Sequence, residues 1–500
     1  RFESESYRRR LRDMIQNFFE EDEISFVAID GTAGKEDFTD FLVFYTIAYG
    51  VRGGISLKGD PPLVRYERYS IEEDKSMVAY VPVSFVELEE VIEPEGLTFF
   101  AGSDMDRVNF SGLHLELMKL AEIYLAYTVA KEEGRHRPRL ILLDNLPSSL
   151  LAHAEVNFSR LGLIGCHYSG MTITEADVII AHSHPFNESL QLPSEKGFRL
   201  HAAIIATLHD KRERRIDLGK LSKKLGISWN VFHRQLNRTS ELIKKIGEYN
   251  PRKREFIARP GVRFKESWEN TVMFFEKFCH RLFVEKDPDA LLYEVPDPEN
   301  PDGRTHTRWL SPEDVRFLIG VGLRALIELC WRRRILLVGI AKDSTSAYFS
   351  RNFLGICFYT GIYEEPPRGI PPLPWTDRSL LESIAALTDV EAPWSTIEFD
   401  SVFMTLHLGL DRTTGELKPM GVRGDILNQE RLFARSLAQF FLKRDKATPL
   451  MGHVIFIDRL LHPVAGWDKD RWGDLAVSYT HLRAHETEAE LVCRLLLEKK

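Results

Sequence analysis

The chain has 500 residues, 44% hydrophobic and 28% charged, with a net charge of −8; this exceeds one ordinary core and describes a soluble globular protein of more than one unit. No apolar run approaches the roughly 20 residues that span a bilayer, and the acidic balance excludes a general polyanion binder, so any nucleic-acid contact must come from local basic surface. Cys166, Cys279, Cys330, Cys357 and Cys493 are widely spaced, which argues against a disulfide framework or a cysteine zinc site and makes a reducing cytoplasm the expected compartment.

In chain order, Tyr7 to Glu20 reads as a basic amphipathic helix carrying Arg8, Arg9, Arg10 and Arg12. Ile24–Ile29 is a short apolar run that reads as a buried strand ended by an Asp30-Gly31 turn. Phe41–Tyr49 and Met77–Val83 are β-rich and predict further strands. Gly112 to about Lys131 is a long helix candidate, and Arg139–Leu143 is a buried strand ending at Asp144. Asp287–Arg304, rich in Pro, Asp and Gly, reads as a loop. Pro312–Arg332 predicts a helix, Ile335–Ile340 a strand running into Ala341-Lys342, and Pro366–Pro374 a proline-rich connection. Thr396–Leu408 alternates like a strand, while Asn428–Lys443 and Pro449–Leu461 read as helices.

Between His209 and Asn250 the texture changes. Leu218, Leu221 and Leu225 share one helical face, Gly226 supplies a turn, and Ser228 can cap a second helix carrying Val231, Phe232 and Leu236. This resembles a helix-turn-helix, and its flanks are strongly basic. Such a segment either contacts DNA or docks a protein.

The chemistry resides in acidic residues at the ends of elements. Asp30 ends the first strand, Asp144 ends a later one, and Glu116 sits early on the helix between them. In an RNase H-like sheet those two strands lie side by side and parallel, with two aspartates at their carboxyl ends and a helical carboxylate above. Such a cluster repels itself unless divalent cations occupy it. Two ions about 3.5–4 Å apart can activate water and stabilise the leaving oxygen of a phosphodiester, and oxygen donors suit Mg²⁺ or Mn²⁺, an added imidazole favouring Mn²⁺. Glu116 is the preferred helical acid because Leu113, Leu120 and Ile123 point it inward; Glu122, beside Met118, Leu125 and Ala126, is its rival. The alternating His182-Ser183-His184 invites a metal reading but reads better as loop histidines after a strand.

Several short motifs, in this order, resemble the NurA nuclease family: Ala28-Ile29-Asp30-Gly31-Thr32, Leu115-Glu116-Leu117, Leu142-Leu143-Asp144-Asn145-Leu146, Leu337-Val338-Gly339-Ile340-Ala341-Lys342 and Pro449-Leu450-Met451-Gly452-His453. The resemblance runs to about Leu461. It implies an α/β fold, an RNase H-like mixed sheet flanked by helices, interrupted by the helix-turn-helix-like segment. The implied division is a nuclease domain in two parts, 1–195 and 261–476, around an insertion at 196–260. It also implies Mn²⁺-dependent (or Mg²⁺-dependent) exonuclease and endonuclease action on DNA in end resection, by a homodimer partnered with a hexameric HerA-type ATPase. Asp30, Glu116, Asp144 and His453 would be the metal-binding catalytic set, with Lys342 on a phosphate. Asn145 replaces the family's usual glycine, and Lys443-Arg444-Asp445-Lys446 stands where a tyrosine is common. Those departures leave two rivals: a catalytically inactive DNA-binding adaptor for an ATPase, and a helix-turn-helix regulator with a sensor domain.

Residues 477–500 stand apart. Val477 to about Glu486 back-translates as a transposase-type sequencing adapter, and Leu491–Lys500 resembles the translated adapter end, with Glu490 the one departure. This tail is therefore set aside from the fold.

Overall fold

The computed structural model describes residues 5–59, 63–66, 75–84, 91–93, 96–100, 107–109, 112–134, 137–154, 156, 161–187, 190, 200–238, 243–260, 262–296, 305–342, 376–387, 394–395, 399–400, 404–410, 417–423, 432–443 and 449–462. The proline-rich connection, Arg444–Lys446 and the adapter-like tail lie outside these residues.

The chain begins with α1 (Glu5–Phe19), then β1 (Glu23–Asp37), β2 (Phe41–Ser56), β3 (Leu63–Tyr66) and β4 (Lys75–Ser84). The long helix α2 (Leu113–Ala130) leads to β5 (Leu140–Leu143), α3 (Pro147–His153) and α4 (Glu175–Ser183). Next come α5 (Leu200–Lys211), β6 (Arg215–Asp217), α6 (Leu218–Lys224), α7 (Trp229–Arg238), β7 (Gly247–Asn250) and β8 (Glu255–Ala258). The remainder supplies α8 (Phe264–Cys279), α9 (Pro312–Arg333), β9 (Leu336–Ala341), α10 (Asp377–Leu387), β10 (Phe433–Lys443) and β11 (Pro449–Leu460).

One mixed sheet organises these elements. β1 pairs antiparallel with β2, and β2 with β3 and β4. On its other side β1 pairs parallel with β5, and β5 parallel with β9. β11 then pairs antiparallel with β9, and β10 with β11. An antiparallel meander continued by two parallel strands is the RNase H-like arrangement. The fold class is thus α/β, a central mixed sheet flanked by helices.

The strands are apolar on both faces because both are covered. Val27, Ile29, Ile141 and Leu143 pack into a core with Leu117, Leu120, Phe275 and Leu326. The alternate residues Phe26, Ala28 and Leu140 face a second core with Ile15, Phe18 and Phe19 of α1. α2 is buried almost all round, between sheet and α9. α9 starts at a capping box in which Ser311 and Asp314 satisfy each other's backbone N–H groups, with Pro312 at the first helical position. Gly322 on α9 leaves room for the Phe275 ring, which a β-carbon would strike.

Several sequence expectations need correcting. β1 does not turn at Asp30-Gly31; it runs on to Asp37, because Gly31–Asp37 pairs residue by residue with Leu42–Ala48. Where Asn428–Lys443 and Pro449–Leu461 read as helices, Phe433–Lys443 and Pro449–Leu460 are instead paired strands that extend the sheet beyond β9. The expected loop Asp287–Arg304 contains a strand at Leu292–Pro296. Within Thr396–Leu408 the described residues form strands at Phe399–Asp400 and from Met404. His182-Ser183 closes a helix rather than following a strand.

Candidate active site

The parallel register of β1 and β5 aligns Ile29 with Leu143, so Asp144, just past the end of β5, stands level with Asp30, which lies seven residues before the end of β1. The Asp144 N–H donates to the Ile29 carbonyl at 3.2 Å, which holds the residue level with Asp30 after the strand has ended. Both aspartates are half-buried. Because β1 alternates between its two cores, Asp30 falls on the α1 side and Gly31 on the α2 side.

The helical acid at this rim is Glu122. A β-carbon at Gly31 would fall inside contact distance of Glu122 Oε1 and of Met118 Cγ, so the carboxylate occupies the space that only glycine leaves open. Asn145, next to Asp144, donates from Nδ2 to Glu122 Oε2 at 2.6 Å. Glu122 is thereby tied to the residues that follow both aspartates, although it is only 2% exposed.

Glu116, the preferred candidate on sequence, is engaged elsewhere. His153 Nε2 on α3 lies 2.8 Å from its Oε1 and 3.0 Å from its Oε2. Arg316 Nε and Lys119 Nζ stand 3.3 and 3.4 Å from Oε1. Burial pushes this carboxyl up, but the hydrogen bond from His153 and the charges of Lys119, His153 and Arg316 outweigh it and hold the pKa below the ordinary value. The two carboxylates point apart because six residues along a helix turn the side chain by about 120°. Glu116 therefore faces α3 and α9 while Glu122 faces the sheet rim.

Lys342 follows β9 at the same end of the sheet, its Nζ 3.6 Å from Asp144 Oδ2. His453 lies on β11, three residues before Phe456, the partner of Ala341. The antiparallel register carries it past the carboxyl end of β9, to the same end of the sheet; its side chain lies outside the described residues.

Sequence reasoning missed three features. Tyr49 is the cross-strand partner of Asp30, hence on the same face, and is 42% exposed. Counting the hairpin register outward from Asp30 would have found it. Asn145 reads on sequence as a departure, yet it is the hydrogen-bond donor to Glu122. Asp458, fully buried on β11 opposite Gly339, accepts from Ser148 N at 3.2 Å and from Arg435 Nε at 2.7 Å, and bonds the Ser148 hydroxyl. It pins the start of α3, and with it the loop carrying Asp144 and Asn145. Gly339 completes that junction, since a β-carbon there would strike the Asn145 carbonyl and the Pro147 ring.

The His182-Ser183-His184 segment is a packing element. His184 is fully buried, 3.0 Å from Glu328 Oε1 and edge-on to the Trp268 ring. Of the basic residues on α1, Arg9 is exposed, Arg12 donates to the Gly59 carbonyl at 2.9 Å, and the side chains of Arg8 and Arg10 lie outside the described residues.

Among the described residues no three His, Cys, Asp or Glu side chains are gathered tightly enough to ligate one ion as they stand. What fits a divalent cation is the donor chemistry: Asp30, Glu122 and Asp144 offer only hard oxygens.

No protein-family model and no curated protein matches the chain. Among solved structures it is similar to the NurA nuclease from Sulfolobus solfataricus, at 11% identity and a TM-score of 0.31, over 99% of this chain and 92% of that one. A NurA bound to dAMP and manganese aligns at 11% identity and a TM-score of 0.27, over 99% of this chain and 94% of that one. No helix among the described residues is long and apolar enough to cross a membrane.

Proposed function

We propose that this chain is a divalent-metal-dependent deoxyribonuclease of the NurA type, hydrolysing DNA phosphodiesters at the carboxyl end of β5, beside Asp30 of β1. One observation carries the reading: the Glu122 carboxylate fills the space beside Gly31, next in sequence to Asp30, and accepts a hydrogen bond from Asn145, next in sequence to Asp144.

Asp30, Glu122 and Asp144 would hold Mn²⁺ or Mg²⁺. A divalent ion bound there supplies Lewis acidity at a phosphate oxygen and a more acidic bound water. Asn145 orients Glu122 by donating to one of its oxygens. Lys342, 3.6 Å from Asp144, would contact a phosphate of the substrate. Tyr49 stands beside Asp30, where its hydroxyl can bond a phosphate oxygen. His453, at the same sheet end, completes the proposed set by binding metal or moving a proton. The order of motifs along the sequence supports the assignment to this family. We extend the proposal to end resection in break repair, as a cytoplasmic homodimer served by a hexameric HerA-type ATPase.

The test is cleavage of end-labelled single- and double-stranded DNA by the purified chain in Mn²⁺, Mg²⁺ or EDTA, with Asp30→Ala and Asp144→Ala in parallel. Metal-dependent degradation lost in both variants supports the reading. DNA binding without cleavage, equal in all three proteins, overturns it and leaves an inactive adaptor.

A further inference from the structure

The basic segment after α4 has a specific architecture. Its elements follow the order α5, β6, α6, α7, β7, β8, and the three strands form an antiparallel sheet in the order β6-β8-β7. That is a winged helix: a helix-turn-helix backed by a small sheet whose last two strands form a hairpin. The turn between α6 and α7 contains Gly226 at φ +66°, a left-handed conformation that favours glycine. Phe232 and Leu236 of α7 pack inward with Leu208, Leu221, Ile243 and Phe256.

The outward side of α7 is chemically distinctive. Asn230, Arg234 and Asn237 are exposed and spaced i, i+4, i+7, so they form one stripe opposite Phe232 and Leu236. Asparagine and arginine are the side chains that bond adenine and guanine edges in the major groove. The hairpin is fixed to the same surface. The Arg254 guanidinium lies 4.8 Å from the centroid of the Trp229 ring, and Tyr249 bonds His233. Its tip, Pro251–Arg254, is exposed, and Asn250 Oδ1 accepts the Lys253 N–H at 3.1 Å to shape the turn.

Charge separates this unit from the rest. Residues 200–259 hold fifteen Lys and Arg against six Asp and Glu, in a chain whose net charge is −8. Arg215 pairs with Glu255 and Lys245 with Glu175. Lys223, Lys224, Arg234, Arg252 and Lys253 make no ion pair with another described residue. A surface with unneutralised cations at both a helix stripe and a hairpin tip complements a polyanion with two features to grip: a groove and its flanking phosphates.

We propose that this winged-helix unit docks on duplex DNA, with α7 in the major groove and Arg252-Lys253 on the phosphates beside it. The docking stands independently of the nuclease reading, because it requires neither metal nor the sheet rim. It gives an acidic chain a dedicated grip on the duplex.

The test uses the full chain in EDTA and a fluorescent duplex of about 30 base pairs, with affinity read by anisotropy across a salt series. Single-stranded DNA and double-stranded RNA of the same length serve as competitors. The wild type is expected to prefer duplex DNA over both. The double variant Arg252→Ala/Lys253→Ala should weaken duplex binding about tenfold and lower the slope of log K against log salt by about 2, one unit for each phosphate that is no longer neutralised. Arg234→Ala should also weaken it, with melting temperatures unchanged in both proteins. Metal-dependent cleavage of a short single strand should be unaffected, which separates failure of this inference from failure of the nuclease reading. Equal duplex affinity and salt slope in wild type and variants would overturn it, as would tighter binding to either competitor.

Discussion

The Glu122 carboxylate stands where a side chain at residue 31 would go. Asp30-Gly31 is therefore not a turn but a fitted pair: an acid on one face of β1 and, next to it, a gap on the other face through which a second acid reaches the rim. Gly31→Ala tests the fit. The added methyl has no room, so Glu122 and Met118 must move, at a stability cost of about 1–3 kcal/mol. A 1 Å displacement of a positioning group can cost about 10²-fold in rate. Thermal unfolding and single-turnover cleavage of the same protein should show a modest loss in the first and a large loss in the second.

Asp458→Ala addresses the loop rather than the rim. Asp458 is fully buried and satisfies Arg435 and Ser148 together. Its removal leaves the mostly buried Arg435 without its carboxylate, a change worth about 3–5 kcal/mol when one partner of a buried pair is removed. Chemical denaturation should show that loss. The Asp144–Asn145 segment should also become more susceptible to hydrogen exchange, since its anchor at Ser148 goes with it.

The acid limb of stability has a specific source. His462 is buried against Phe18, 3.1 Å from the Ile335 carbonyl. Burial pushes its pKa from 6.5 down to about 4, with Arg459 and Arg334 adding to the effect against the carbonyl. A base with a lowered folded pKa binds fewer protons when folded. Its contribution is complete above about pH 6.5 and is lost as pH falls toward 4, for a total of about 3 kcal/mol. Glu116, held below its ordinary value, acts in the same direction at lower pH. Asp314 opposes both: burial raises it to about 6, so its contribution is present at low pH and lost as pH rises through that value. Urea midpoints followed from neutral to acid pH should fall more steeply for the wild type than for His462→Leu.

Lys342→Ala removes the cation that stands 3.6 Å from Asp144. If Lys342 contacts a phosphate in the ground state and the transition state alike, KM rises severalfold while kcat holds. Steady-state cleavage of a short labelled oligonucleotide measures both.

The central strands are legible in the sequence because burial on both faces leaves continuous apolar runs, as at Ile24–Ile29, Arg139–Leu143 and Ile335–Ile340. Asp30 and Asp144 are legible for the same reason: each is the first charge after such a run. Glu122 is not, because α2 is apolar nearly all round and its periodicity gives no phase. The phase is set by Gly31, on another element. The strands Phe433–Lys443 and Pro449–Leu460 read as helices because Leu, Ala, Phe and Met serve either state. The open edge of β9 decides, an interaction no local window contains. The two helices of the winged unit are visible in their leucine spacing, but its strands of three or four residues are too short to show a period.

The most direct test of the account is metal-dependent, single-turnover cleavage of end-labelled DNA by Glu122→Gln beside Glu116→Gln, each checked for its melting temperature. The account predicts that Glu122→Gln abolishes cleavage with the fold intact. Glu116→Gln should keep cleaving while losing about 1–3 kcal/mol of stability from its severed bonds to His153 and Arg316. Full activity in Glu122→Gln, with loss confined to Glu116→Gln, would contradict it.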